Sequence, residues 1–162
     1  MLSHLEVCDH VNEKTEPYYR VFGSVAALLA KAGLTDRLNV SYFRSVIRPA
    51  YLHRKIKCYF DASGIVAAYV VWGLLSEDVD RRVITTFKPG LHVSEWNEGE
   101  QLWILDLVAP FGHLKYVLKD LSENVFADIA TARYLRVKRC VGAYEVDRRH
   151  ARFQLPKPQA LA

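Results

Sequence analysis

The sequence predicts a single α+β domain, with one curved, mostly antiparallel sheet flanked by helices. Two segments with helical spacing of apolar residues open the chain. A group of short apolar strands separated by turn residues follows, and a third helical segment precedes two final strands. With 162 residues, 51% of them hydrophobic, the chain can bury a core within one domain over 1–153. The stretch QLPKPQALA, with its two prolines, is expected to be a flexible tail over 154–162.

Each element has its own signal. Tyr18 to Ala32 reads as the first helix, with Val21, Val25, Leu28 and Leu29 on one face and Gly33 just past its end. Asn39 is placed to cap a second helix through Val40, Phe43, Val46 and Ile47, which Pro49 should bend or end. Lys55 to Phe60 and Ile65 to Trp72 flank Asp61, Ala62, Ser63 and Gly64, the pattern of a hairpin. Arg81 to Phe87 reads as strand or irregular backbone, and SEWNEGEQ, after Pro89 and Gly90, as a turn. LWILDLVAPFG, residues 102–112, is a buried strand closed by Pro110 and Gly112. Leu114 to Phe126 is helical in period, and strands over Tyr134 to Val141 and Tyr144 to Phe153 are separated by Gly142.

Composition narrows the function classes. No apolar run approaches the ~20 residues of a membrane-spanning helix, and MLSHLEVCDHVNEKTEP carries acids where a secretory signal would be apolar, so a cytoplasmic location is expected. Cys8, Cys58 and Cys140 are far apart and lack metal-ligand spacing, which suits reduced, packing thiols. No paired-cysteine metal site, Walker loop, GxSxG or HExxH motif is present, so hydrolase, nucleotidase and metalloenzyme readings have no motif to stand on. The formal charge of +4 is concentrated between Arg133 and Arg152, where Arg133, Arg136, Lys138, Arg139, Arg148, Arg149 and Arg152 outnumber Glu145 and Asp147. Such a run suits an acidic partner or simply a solvated strand pair. Without a helix-turn-helix, zinc-finger or RNA-binding signature, an acidic protein is favoured over nucleic acid.

One residue stands out. Asp106 is a carboxylate in the middle of an apolar strand, and an ionised carboxylate away from water is costly unless paired or hydrogen-bonded. It is either a strand residue satisfied by backbone or arginine partners or a group with a chemical task.

WNEGEQLWILDLVAPFG resembles the RTX toxin-activating lysine acyltransferases, the hemolysin-activating "C" proteins. In that family a tryptophan precedes a short polar turn with glycine, then a tryptophan in an apolar strand, an aspartate and APFG. AYVVW over Ala68 to Trp72 fits the same pattern, and Gly23, Leu34, Val40, Ser41, Phe43 and Pro49 run in register with the family's N-terminal helices. The resemblance spans roughly Val21 to Arg139, and the order of elements is compatible with the Gcn5-related N-acetyltransferase (GNAT) fold.

The resemblance implies an enzyme that moves a fatty acyl group from acyl-acyl carrier protein to lysine side chains of an RTX-type protoxin or a peptide. It needs no cofactor beyond that co-substrate, and a homodimer is the assembly considered beside a monomer. The family aspartate maps onto Asp106. Attack on a thioester needs a neutral amine, whereas lysine is protonated at neutral pH, so a semi-buried carboxylate can act as base or orient one. The glycine-rich pyrophosphate loop of coenzyme A-dependent relatives is not evident in APFGHLKYV, which favours a carrier-protein donor. Arg136 and Arg139 are expected to meet that acidic carrier. Trp103 is either a core aromatic or a wall of an acyl channel; Trp72 and Trp96 are by default core aromatics.

The sequence departs from the family at one important point. The family's catalytic histidine, after the first helix, falls in ungapped register on Thr35, whose hydroxyl cannot serve as a general base at neutral pH. His113, just after APFG, is the favoured replacement; Asp36 is another, and His53 and His92 are weaker. Asp106 can also act alone or through water, or transferase activity can be lost. Two alternatives follow: the same fold acylating a small ribosomal peptide or another amine, and a non-catalytic binding module.

Overall fold

The computed structural model describes residues 16–86, 90–129, 131–139 and 146–154. Of the tail expected over 154–162, Gln154 is a strand residue paired with Thr131, and residues 155–162 lie outside the described residues, as do Gly142, Cys8 and Cys140.

Helix α1 spans Glu16–Lys31, with Glu16 in its first turn and Lys31 in its last, the charge order the helix dipole favours. Gly33 ends it in the left-handed region at φ 68°. The Gly33 amide donates to the Ala30 carbonyl and the Leu34 amide to that of Leu29, so this glycine closes α1 in a Schellman turn. A one-turn 3-10 helix, Thr35–Arg37, leads to Asn39, whose side-chain oxygen accepts from the Tyr42 amide at 2.8 Å and caps the next helical stretch. That stretch comprises α2 (Val40–Tyr42), a π-helical turn (Phe43–Ile47) and α3 (Arg48–Leu52). Of the two outcomes expected at Pro49, a bend or an end, the end does not occur: Pro49 sits in the first turn of α3, directly after the wider turn.

Strands β1 (Ile56–Phe60) and β2 (Val66–Leu75) form the expected hairpin. A second correction comes next. Arg81 to Thr86 belong to α4 (Glu77–Thr86), not to a strand or irregular segment. The β-branched Val83, Ile84, Thr85 and Thr86 disguised the helix. Acids at Glu77, Asp78 and Asp80 suit its N-terminus, Val79 and Val83 share the buried face, and the Thr85 and Thr86 hydroxyls donate to carbonyls one turn back.

The polar turn after a 3-10 helix (Val93–Trp96) lies on the end of β2: the Glu98 and Gly99 amides both donate to the Leu74 carbonyl. A Cβ on Gly99 would lie 2.1 Å from the Leu75 carbonyl oxygen, so only glycine lets the backbones approach this closely. Strand β3 (Gln101–Val108) follows, then α5 (Leu114–Asp120) extended by a π-helical turn (Leu121–Val125), then β4 (Thr131–Arg139) and β5 (Val146–Gln154).

The sheet order is β1-β2-β3-β4-β5, antiparallel except for β3 against β4. This is the expected α+β, GNAT-like arrangement. One face of the sheet carries Tyr69, Val71 and Val108 against Val25, Leu28 and Leu29 of α1 and Ile47 and Ala50 of the following helix. The other carries Ala68, Val70, Trp72 and Ile104 against Val117, Leu121 and Phe126. A third cluster joins Leu75 and Trp103 to Val79 and Val83 of α4. No helix among the described residues is long and apolar enough to cross a membrane.

Candidate active site

The register of β2 and β3 decides where Asp106 points. Val71 stands opposite Asp106 while the next residue, Trp72, stands opposite Ile104, so Leu105 is an extra residue in β3. Strict alternation from Ile104 would put Asp106 on the α5 face. The bulge at Leu105 instead returns Leu107 to the α5 face and puts Asp106 and Val108 on the face of Tyr69 and α1.

There the carboxylate meets three donors from three elements. Arg37 Nη1, from the 3-10 turn, donates to Asp106 Oδ1 at 2.7 Å. The Tyr69 hydroxyl, from β2, donates to Oδ2 at 3.0 Å, and the Tyr42 hydroxyl, from α2, donates to the same oxygen. The two phenols also contact each other at 2.7 Å. The charge is thus satisfied by an arginine, and the pair is not sealed from solvent: the Asp106 side chain is 13% exposed and that of Arg37 33%.

The electrostatics of the cluster set the protonation of its members. Burial pushes the Tyr42 and Tyr69 hydroxyls far above the usual tyrosine range, and the adjacent Asp106 charge adds to the effect in both. Both phenols therefore stay protonated and act as donors. For Arg37, burial works to lower the pKa, but Asp106, Tyr69 and Tyr42 outweigh it and raise it above the ordinary arginine value.

The other expected site residues are distributed as follows. Thr35 is exposed and opens the same 3-10 turn that delivers Arg37. Asp36, between them, is also exposed, and its carbonyl accepts from the Asn39 side chain at 2.8 Å. His113 is half-buried at the start of α5, and among the described residues no hydrogen bond or ion pair joins it to Asp106. His92 caps the 3-10 helix before the polar turn, and His53 follows α3. Trp103 is fully buried, and its indole N–H donates to Asp80 at 2.8 Å. Trp72 packs edge-on against Phe126 at 5.5 Å, and Trp96 is buried among the residues beneath α1. Arg136 and Arg139 lie in β4, paired with Arg149 and Val146 of β5. Arg133, counted with them in the basic run, is turned inward onto Asp80.

Sequence reasoning missed Arg37, Tyr42 and Tyr69. Tyr69 carried a signal: a phenol inside the apolar strand AYVVW needs a partner for its hydroxyl. Arg37 and Tyr42 gave none, because their bonds to Asp106 span 69 and 64 residues of chain.

The RTX toxin acyltransferase (HlyC) family profile matches residues 14–148. The chain is 29% identical over 107 residues to the lysine-acyltransferase RtxC of Vibrio cholerae, covering 66% of this chain and 69% of that protein. It is 27% identical over 114 residues to the RTX-II toxin-activating lysine-acyltransferase ApxIIC of Actinobacillus pleuropneumoniae, covering 70% of each. A protein-lysine myristoyltransferase, RtxC of Kingella kingae, is 26% identical over 106 residues, covering 65% of this chain and 62% of that protein. A profile match that includes both the turn carrying Arg37 and the strand carrying Asp106 makes this chain a member of the RTX toxin acyltransferase family.

Proposed function

We propose that this protein is a protein-lysine acyltransferase that takes a fatty acyl group from an acyl carrier protein thioester and forms an amide on lysine side chains of a toxin-type acceptor. The observation that carries this reading is the family match together with a carboxylate, Asp106, that stands on the α1 face of the sheet and is still reached by solvent. In the reaction the acceptor amine, having lost a proton, attacks the thioester carbonyl carbon. The C–N bond forms, the C–S bond breaks, a second amine proton ends on the departing sulfur, and the carrier leaves as its thiol. Asp106 receives and orients the incoming ammonium and takes up its proton. Tyr42 and Tyr69, protonated throughout, fix the carboxylate. The antiparallel β4–β5 strand pair, with Arg136 and Arg139, meets the acidic carrier.

Two observations favour a second reading, a binding module without turnover. Thr35 stands where the family histidine falls, and Arg37 already neutralises Asp106. Intact-mass analysis of a co-expressed toxin-type acceptor, with and without this protein, decides between them. A mass increase of one fatty acyl group per modified lysine supports the transferase. No increase, with wild type and Thr35→His alike and a loaded carrier supplied, leaves the binding module. If Thr35 marks the base position of an otherwise intact site, Thr35→His raises acyl transfer, because imidazole titrates near pH ~6.5.

A further inference from the structure

The Asp106 cluster contains two kinds of partner. Tyr69 projects from the fully buried centre of β2, and Tyr42 from a helix capped by Asn39. Both are anchored. Arg37 arrives from a 3-10 helix of three residues, and its side chain, a third exposed, is the more solvent-accessible partner of the 13%-exposed carboxylate it bonds. Its side chain bonds to Asp106 and faces Tyr69, so its position depends on the cluster itself. Without Arg37, the cluster would offer a carboxylate charge and the lone pairs of two phenol oxygens, set close together on the sheet. A primary ammonium has one positive charge and three N–H donors, and no acceptor. The two match in charge and in hydrogen-bonding type.

We infer that Arg37 is a tethered stand-in for the acceptor's ammonium: the oxygens of Asp106, Tyr42 and Tyr69 form a site for a primary alkylammonium ion, and Arg37 must vacate it before a lysine side chain can enter. This rests on the transferase reading for its biological substrate, but the site itself is testable without turnover. The tether makes the competition strongly favour closure, because a covalently attached cation competes at an effective concentration on the order of millimolar or higher. An acceptor that binds elsewhere on the surface and presents its lysine locally would gain the same advantage, whereas free amines would not. Closure by Arg37 therefore discriminates docked lysines from the free amines of the cell.

The test uses n-butylammonium, a lysine side-chain analogue, titrated by calorimetry or NMR into the full-length protein. Arg37→Ala should bind it at least ~10-fold more tightly than wild type, since the tethered competitor is gone. Arg37→Gln should do the same, and Arg37→Lys should resemble wild type. Adding Asp106→Asn to Arg37→Ala should abolish binding. With an acceptor in hand, Arg37→Ala should lower the KM for free amine acceptors more than for the docked protein. Equal affinity in wild type and Arg37→Ala, or binding that survives Asp106→Asn, overturns the inference. So does failure of both Arg37→Ala and Arg37→Gln to fold, because a group that the fold requires is not a displaceable occupant. Butylammonium binding without acylation of any acceptor would keep the site and discard the transferase reading.

Discussion

Asp80 and Asp106 hold their charges with the same kinds of partner, an arginine and aromatic side chains that donate a hydrogen bond, yet the two clusters differ in what the partners are attached to. Asp80 accepts from the Trp103 indole and pairs with Arg133, and those residues sit opposite each other where β3 and β4 run parallel. The Arg133 side chain is 17% exposed, against 33% for Arg37. Both partners of Asp80 are fixed by the sheet, so the cluster ties α4 to the junction of β3 and β4. The arginine of Asp106 comes from a short turn between helices. Similar local chemistry gives a structural clamp in one place and an exchangeable contact in the other.

The largest effect that can break this comparison is on stability at Asp80. Asp80→Ala leaves Arg133 without its counter-ion in a largely buried setting and should cost about 3–5 kcal/mol, read from urea unfolding. A loss below about 1 kcal/mol would mean that this pair is as exchangeable as the other. At Asp106 the effect should fall on activity instead. Asp106→Asn keeps the shape and should leave the fold intact, at a cost of about 1–3 kcal/mol for the weakened charge-assisted hydrogen bonds, while acyl transfer falls at least ~100-fold. Normal turnover in that variant would confine Asp106 to a structural role like that of Asp80.

A smaller effect is expected one bond further out. Tyr42→Phe removes the hydroxyl shared by Asp106 and Tyr69 and should destabilise the fold by about 1 kcal/mol, measured by denaturant titration. An unchanged midpoint would mean that water replaces the phenol without cost.

The smallest and most diffuse effect is on pH dependence. Tyr42, Tyr69 and Tyr59 are all held protonated beyond the ordinary tyrosine range, mainly by burial. The folded state therefore retains protons that the unfolded chain releases above pH ~10, so stability is intact below that value and declines above it, by up to about 1.4 kcal/mol per pH unit for each group. Cys58, whose thiol burial raises to about 11, adds to the same decline once the pH passes its unfolded value. Flat stability from neutral pH to about 11 would contradict the burial of these hydroxyls.

Much of the architecture was legible in the sequence because it rests on local signals. The Asn39 cap, the Gly33 stop and the turn at Asp61 to Gly64 each act within a few residues. Helix α4 was misread because β-branched residues suggest strands, whereas its acidic first turn and the Val79 and Val83 spacing carried the correct answer. Within the site, Asp106 was legible as a charge in an apolar run. Its partners were not, since Arg37 and Tyr42 reach it only after the helices fold onto the sheet. Nor was the direction it faces, because LWILDLV does not alternate and so gives no sign of the bulge.

That extra residue bears on how related sequences can vary in length. Ile104 and Asp106 lie on opposite faces only because Leu105 is not counted in the pleat. A chain that lost Leu105 would run through a regular strand with its aspartate still toward α1 and its next leucine still toward α5, giving up a bulge and some apolar packing. Loss of a residue on either side of Leu105, with the bulge kept in place, would turn part of the strand over and exchange its faces. Length variation within β3 should therefore be tolerated at Leu105 and resisted elsewhere, and an alignment that opens a gap there would still pair the same aspartate with the same chemistry.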